Sequence, residues 1–175
     1  MAKIQNKGLN DYIKAMQRLK KGSEDIVRKG IYDGAGILAD GLKQETKKLP
    51  TDNAYGTSDD PLKGISNRQK ADLIDSMGIA PIREDGDYVH AKIGWDGYGR
   101  TKTKKYPEGV PNQLLVRSVN SGTSFRKKNP FVNRAVTKNK KTAVKAMADT
   151  IENEIKKEMK SYANQRIEHA DRRHV

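Results

Sequence analysis

Between Ser23 and Lys48 an apolar repeat of helical period (Ile26, Val27, Ile31, Ala35, Leu38, Leu42) has four glycines threaded through it: Gly30, Gly34, Gly36 and Gly41. The period predicts a helix. Each internal glycine costs such a helix about 1 kcal/mol relative to alanine, so four of them need a compensating reason. Close approach of another backbone is the usual one, supplied here by a sheet or a neighbouring subunit. The alternative is a helix broken near Gly34. Ser23 fits as the N-cap, with Glu24 and Asp25 in the first turn, and Leu49-Pro50 stops the helix. A shorter amphipathic helix is expected before it, over residues 9–21. It carries Leu9, Tyr12, Ile13, Met16 and Leu19 on one side, and Gly22 ends it.

Beyond Pro50 the patterning changes. Residues 50–66 are rich in Pro, Gly, Ser, Asp and Asn and read as a long loop, either mobile or an interaction element. Asn67 to Ser76 holds a helical turn leading into a strand at about Met77–Arg83. Glu84-Asp85-Gly86-Asp87 is a hairpin turn signal. After it Tyr88, His90 and Lys92 alternate with Val89, Ala91 and Ile93, the period of a half-buried strand. Residues 96–113 form a second long loop with a basic tip at Arg100, Lys102, Lys104 and Lys105. Leu114 to Val119 is a strand or short helix, Ser121-Gly122-Thr123 turns the chain, and Asn129-Pro130-Phe131 opens the next segment. The last helix is expected over about 138–162, with Val144, Met147, Ala148, Ile151, Ile155 and Met159 on one face, and a polar tail from residue 165. Helices, then strands, then a helix predict an α+β domain over residues 1–164. In it the N-terminal helices and a long C-terminal helix pack on a small antiparallel β-sheet, and two long loops project.

Composition narrows the function classes. With 175 residues, the chain suits one domain with a modest core. Its 34% hydrophobic and 33% charged content suits a protomer that completes itself against neighbours. The net charge of +13 implies a negative partner, nucleic acid or acidic protein. From Arg126 on, 14 Lys and Arg face 6 Asp and Glu, so the last 50 residues hold most of that excess. The absence of cysteine excludes disulfides, thiolate zinc sites and cysteine nucleophiles, and suits a reducing cytoplasm. No apolar run marks a signal peptide in Met1 to Gly8 or a membrane span anywhere, so a soluble protein without a membrane partner is expected.

Catalytic constellations are not found. His90 sits in a strand pattern, where a structural role is the commoner one. His169 and His174 are five residues apart, which does not put both on one helix face as a helical zinc pair requires. The run Gly94 to Gly99 lacks phosphate-loop spacing and reads as a strand end entering a loop. No serine has a nucleophile-elbow context, and the acidic pairs Asp59-Asp60 and Glu152/Glu154 read as solvated charge. The sequence therefore points to a non-enzymatic protein with no cofactor and no metal. The best binding candidate is the second loop, with Tyr98, Arg100, Lys102, Lys104, Lys105 and Tyr106. Lysines there would neutralise phosphates without reading bases, or meet an acidic face of another subunit.

Four stretches carry a family resemblance. Ala39 to Pro50 (ADGLKQETKKLP) is a helix ending in a lysine-rich turn and proline. Ala71 to Met77 (ADLIDSM) is a short element before the first strand, and Tyr88 to Gly94 (YVHAKIG) is a central strand ending in isoleucine-glycine. The most distinctive is Val119 to Ala135 (VNSGTSFRKKNPFVNRA), with a Gly122-Thr123 pair, a short basic loop, then Pro130-Phe131 and an alanine-bearing helix. In this order the chain resembles, over roughly residues 9–160, the neck or tail-completion (head–tail joining, minor tail component) proteins of long-tailed bacteriophages. It departs from their pattern at Asn120 and in the length of both loops. The resemblance implies that Gly122, Thr123, Pro130 and Phe131 are structural: a tight turn, a fixed entry to the helix, and a core anchor. It implies a virion protein of the head–tail junction, made and assembled in the bacterial host cytoplasm. Such a protein would form a homo-oligomeric, six-fold ring around the DNA channel. Its neighbours would be head-closure or connector proteins on one side and tail-terminator or tail-tube proteins on the other, with non-specific contact to channel DNA. The other expectation the residues support is a small basic protein that binds nucleic acid without sequence preference.

Overall fold

The structure is a computed structural model that describes the backbone of residues 7–86 and 88–171 and the side chains of 22–86, 88–161 and 164. Two 41-residue helices dominate it, α1 (Lys7–Lys47) and α4 (Phe131–Asp171). Between them lie α2 (Asn67–Asp75), β1 (Met77–Ile79), β2 (Arg83–Asp85), β3 (Tyr88–His90), β4 (Ile93–Trp95) and α3 (Asn112–Ser121). The class is α+β, as the order of patterns predicts.

The glycine-threaded helix is unbroken, and three of its four glycines, Gly30, Gly34 and Gly41, face α4. A Cβ on Gly30 would lie 2.7 Å from Ile151 Cγ1 and 3.1 Å from the Met147 carbonyl oxygen. One on Gly34 would lie 2.5 Å from Met147 Cγ and 3.0 Å from the Ala143 carbonyl oxygen, and one on Gly41 would meet the Asn139 amide. Partners fall in number as the glycines rise, so the two helices run antiparallel. The backbone that approaches is thus α4 of the same chain, not a sheet or another subunit. Gly36 has no atom within 4 Å of its Cβ position and takes no part in the seam. Polar contacts support the pair: Thr150 donates to Asp33 (2.6 Å), Lys29 to Glu154 (2.6 Å) and Arg134 to Glu45 (3.2 Å).

Two expectations at the helix ends are corrected. Residues 9–21 and 23–48 are one helix, because Gly22 does not adopt the positive φ of a glycine C-cap; only Gly86, Gly97, Gly109 and Gly122 do among the described residues. Helix formation is cooperative, and one internal glycine costs only about 1 kcal/mol, too little by itself to end a helix. The apolar side chains assigned to residues 9–21 lie outside the described residues. At the other end, α4 begins at Phe131, earlier than 138, and runs on to Asp171 through most of the segment read as a polar tail. The His169 side chain and His174 lie outside the described residues.

The strands form one interrupted arm. β1 pairs antiparallel with β4 (Gly78 opposite Gly94), and β2 with β3 (Glu84 opposite Val89). The register shifts by one between the two ladders, so residues 80–82 face only 91–92, as in a bulge. Pro81, with no N–H to donate, interrupts the ladder there. The single sheet expected is therefore two two-stranded ladders. Gly86 (φ 60°) turns the β2–β3 hairpin as its sequence predicts; Asp87 lies outside the described residues.

The ambiguous Leu114–Val119 segment is helical, within α3. It buries Leu115, Val116 and Val119 against Leu42, Leu49, Ile65, Leu73, Trp95, Phe131 and Ala135. This core sits where the end of α1 and the start of α4 meet α2, α3 and the β1–β4 ladder. Both long loops spring from it. Among the described residues no helix is long and apolar enough to cross a membrane.

Candidate functional site

The second loop is a finger with its own backbone bonding. Gly97 (φ 65°) bends the chain out of β4, its N–H donating to Asp96 Oδ1 at 2.7 Å. Gly99 N–H then donates to Val110 O (2.9 Å), Val110 N–H to Thr101 O (2.8 Å), and Thr103 and Tyr106 exchange two bonds of 3.1 Å. Lys104 and Lys105 are the two central residues of the turn thus closed. At the return, Asn112 N–H donates to Gly97 O at 3.1 Å and its side-chain amide to Asp96 O at 2.8 Å.

The base of the finger is pinned by a buried carboxylate. Asp72, on α2, accepts the Arg100 backbone N–H at 2.8 Å and its Nε at 2.5 Å. Gly99 is the residue that allows this: a Cβ there would stand 2.9 Å from Asp72 Oδ2 and 3.1 Å from Asn112 Oδ1. Gly109, at φ 119°, crosses directly over the Gly99 carbonyl. A charged hydrogen bond to a buried carboxylate contributes roughly 1.5–3 kcal/mol, enough to hold a short arm in place.

The six residues proposed for this loop therefore divide. Lys102, Lys104 and Lys105 project into solvent at the tip, and Tyr98 is 66% exposed on the shaft. Tyr106 is half-buried, with the Lys105 ammonium 5.7 Å from its ring centroid. Arg100 is not part of the basic tip: its guanidinium is drawn to the base by Asp72. The finger thus offers three lysines and two tyrosines as a fixed array.

The glycine-threonine and proline-phenylalanine residues build the joint between α3, the first loop and α4. Gly122 (φ 80°) ends α3, its N–H returning to Ser118 O at 3.0 Å. Thr123, itself exposed, exchanges bonds of 2.9 and 3.2 Å with Arg126 to close a small hairpin with Phe125 at its tip. That hairpin grips the 50–66 loop: Leu62 N–H donates to Phe125 O (2.9 Å) and Lys127 N–H to Leu62 O (2.8 Å). Pro130 leads into Phe131, which is 0% exposed and packs edge-to-face on Trp95 with centroids 5.9 Å apart. Asn120 Oδ1 accepts the Val132 N–H at 3.2 Å in the first turn of α4.

Arg126 lies in this joint and sequence reasoning did not single it out. It is buried, and Nη1 donates to the Gly64 carbonyl oxygen in the first loop. Burial pulls its pKa down, with Asp52 opposing. Asp52 accepts the Lys63 and Ala54 N–H groups, which hold its carboxyl below the usual range. Asp72 was likewise missed. Neither has a local signal, because their partners, main-chain groups and for Asp72 also the Arg100 guanidinium, lie 28 to 62 residues away.

The apolar face expected on the last helix also divides. Met147 and Ile151 close on the α1 glycines, whereas Val144, Ile155 and Met159 are 56%, 39% and 59% exposed. His90 is half-buried in β3, stacked on Tyr88 with centroids 5.5 Å apart. Among the described residues no group of three or more His, Cys, Asp or Glu side chains is placed to hold a metal ion. No family model, no curated protein and no solved structure matches this chain.

Proposed function

We propose that the chain is a structural virion protein of the head–tail junction of a long-tailed bacteriophage, one subunit of a six-fold ring joining the head-side connector to the tail tube. The observation that carries this reading is the stripe of Val144, Ile155 and Met159 on α4. At intervals of eleven and four residues they share one face of the helix, and each is more than a third exposed. Three large apolar side chains aligned on a rigid helix are an interface feature, whereas singly scattered ones are not. The finger and the joint around Gly122 add preformed protrusions through which a subunit engages its neighbours. The family resemblance supplies the identity of those neighbours: head-closure or connector proteins, and tail-terminator or tail-tube proteins. Synthesis and assembly in the host cytoplasm follow from the same reading. Cryo-electron microscopy of particle necks from a phage carrying this gene tests it. A ring of this chain between head and tail tube is the expected result; intact particles without the chain would refute the reading.

A second reading, a small basic protein that binds nucleic acid without sequence preference and has no virion role, is favoured by the exposed Lys102, Lys104 and Lys105. A salt titration separates the two. Nucleic-acid affinity falls steeply with ionic strength, and assembly of subunits that each carry +13 does not.

A further inference from the structure

The first half of α4 breaks the ordinary rules for a solvent-facing helix. Its residues 131–148 contain five lysines and arginines and no acidic residue. Four of them, Arg134, Lys138, Lys141 and Lys145, recur at i, i+4, i+7 and i+11, so they stand in one row on one face. All four are exposed, on the side away from the Ala135, Asn139 and Ala143 positions that face α1. Arg134 shares its charge with Glu45; Lys138, Lys141 and Lys145 have no acidic partner among the described residues. Like charges at these spacings repel, and cations at the start of a helix oppose its dipole. The conflict is not relieved within the fold, which is the mark of a surface shaped for an external anion.

We propose that this row is a nucleic-acid-binding ridge that holds the phosphate backbone of duplex DNA without reading sequence. From Arg134 to Lys145 it extends roughly 16 Å along a rigid helix axis. A duplex carries about one phosphate charge per 1.7 Å of its length, so the row meets phosphates in any register. At its head the row opens into a groove of about 610 Å³ lined by Lys128, Pro130, Asn133 and Thr137 as well as Arg134 and Lys138, with Glu45 its one carboxylate. An acidic protein is the poorer fit. Protein interfaces are depleted in lysine and anchored by aromatic side chains, and this row has three lysines and no aromatic member. The ridge is separate from the finger and does not depend on the junction reading.

Fluorescence anisotropy of a labelled random-sequence duplex, titrated with the full chain across a range of sodium chloride, tests the proposal. The triple variant Lys138→Gln, Lys141→Gln, Lys145→Gln keeps good helix formers and removes three contacts. It should bind about 10²–10³-fold more weakly at 0.1 M salt, with the log–log salt slope reduced by about 2.7. The control of equal charge is Lys43→Gln, Lys47→Gln, Lys160→Gln, three exposed lysines outside both the ridge and the finger, and it should keep the wild-type slope. Helical content at 222 nm confirms that both are folded. No binding by the wild-type chain at low salt overturns the ridge, and so does an unchanged slope in the ridge variant. Competition by polyglutamate as effective as that by DNA overturns it in favour of an acidic protein partner.

Discussion

Gly34 and Gly36 occupy the same helix, two residues apart, and alanine at each should act in opposite directions. Both substitutions remove a glycine from a helix interior, a gain of about 0.5–1 kcal/mol from propensity and lost unfolded-state entropy. At Gly36 nothing lies within 4 Å of the new methyl group, so the whole gain should appear. At Gly34 the methyl carbon would stand 2.5 Å from Met147 Cγ and 3.0 Å from the Ala143 carbonyl oxygen. The methionine chain can swing aside. The carbonyl belongs to the α4 backbone, so the helices themselves must part by some tenths of an ångström along the seam. Overpacking of this kind costs about 1–3 kcal/mol, which outweighs the gain and leaves Gly34→Ala roughly 0–2 kcal/mol less stable than wild type. For a chain of this size each kcal/mol moves Tm by about 2–4 °C. Thermal and urea denaturation at 222 nm should therefore show Gly36→Ala above wild type and Gly34→Ala at or below it. Equal upward shifts in both variants would refute the close antiparallel seam.

Phe131→Ala should destabilise the fold by about 3–5 kcal/mol, because a fully buried ring on Trp95 is lost; an unchanged urea midpoint would mean the ring is not a core anchor. Hydrogen bonds from Lys157 and Lys29 hold the Glu154 carboxyl at about 2, below its ordinary 4.5. Its stabilising contribution is thus complete above about pH 4.5 and fades as pH falls toward 2. Glu154→Gln should accordingly melt below wild type at pH 6 and together with it at pH 2, and a gap constant across that range would count against the pairing. Asp72→Ala should unpin the finger, speeding amide hydrogen exchange at Gly99 and Val110 while leaving α1 and α4 protected; no change in those two amides would place the anchor elsewhere.

Local pattern carried much of the architecture. The period of Ile26 to Leu42 specified the helix, its glycines specified that something would come close, and Glu84-Asp85-Gly86 specified the turn. What came close was not legible, because the row at Met147 and Ile151 looks like any apolar helix face until α1 is laid against it. Gly22-Ser23 misled because it has the residues of a stop and a start, and the cooperativity of a continuous helix overrides them. Pro81 was visible in the sequence, yet its effect depends on the strand opposite. For the candidate site, the lysines of the finger were legible as charge. Their geometry was not, because it depends on Asp72, a residue 28 positions before Arg100. Arg126 was hidden inside a run of basic residues, Arg126-Lys127-Lys128, with nothing to mark which of the three turns inward.

That hidden pair of anchors changes the energetics expected of assembly. Two long loops rich in glycine and polar residues suggest segments that order only on binding and lose conformational entropy at that moment. Here the ordering is already accomplished within one subunit. Asp72 holds the finger, and Arg126, Leu62 and the 123–126 hairpin hold the first loop, with Gly64 and Gly56 pressed against neighbouring backbone. A preorganised protrusion keeps more of its contact energy as affinity, since fewer groups are immobilised on docking. The weak step in any assembly of this protein should therefore be the meeting of like-charged subunits, each carrying +13, and not the ordering of loops. Association that strengthens as salt is raised toward physiological levels would follow from charge-limited docking; association indifferent to salt would mean that the apolar stripe of α4 outweighs that repulsion.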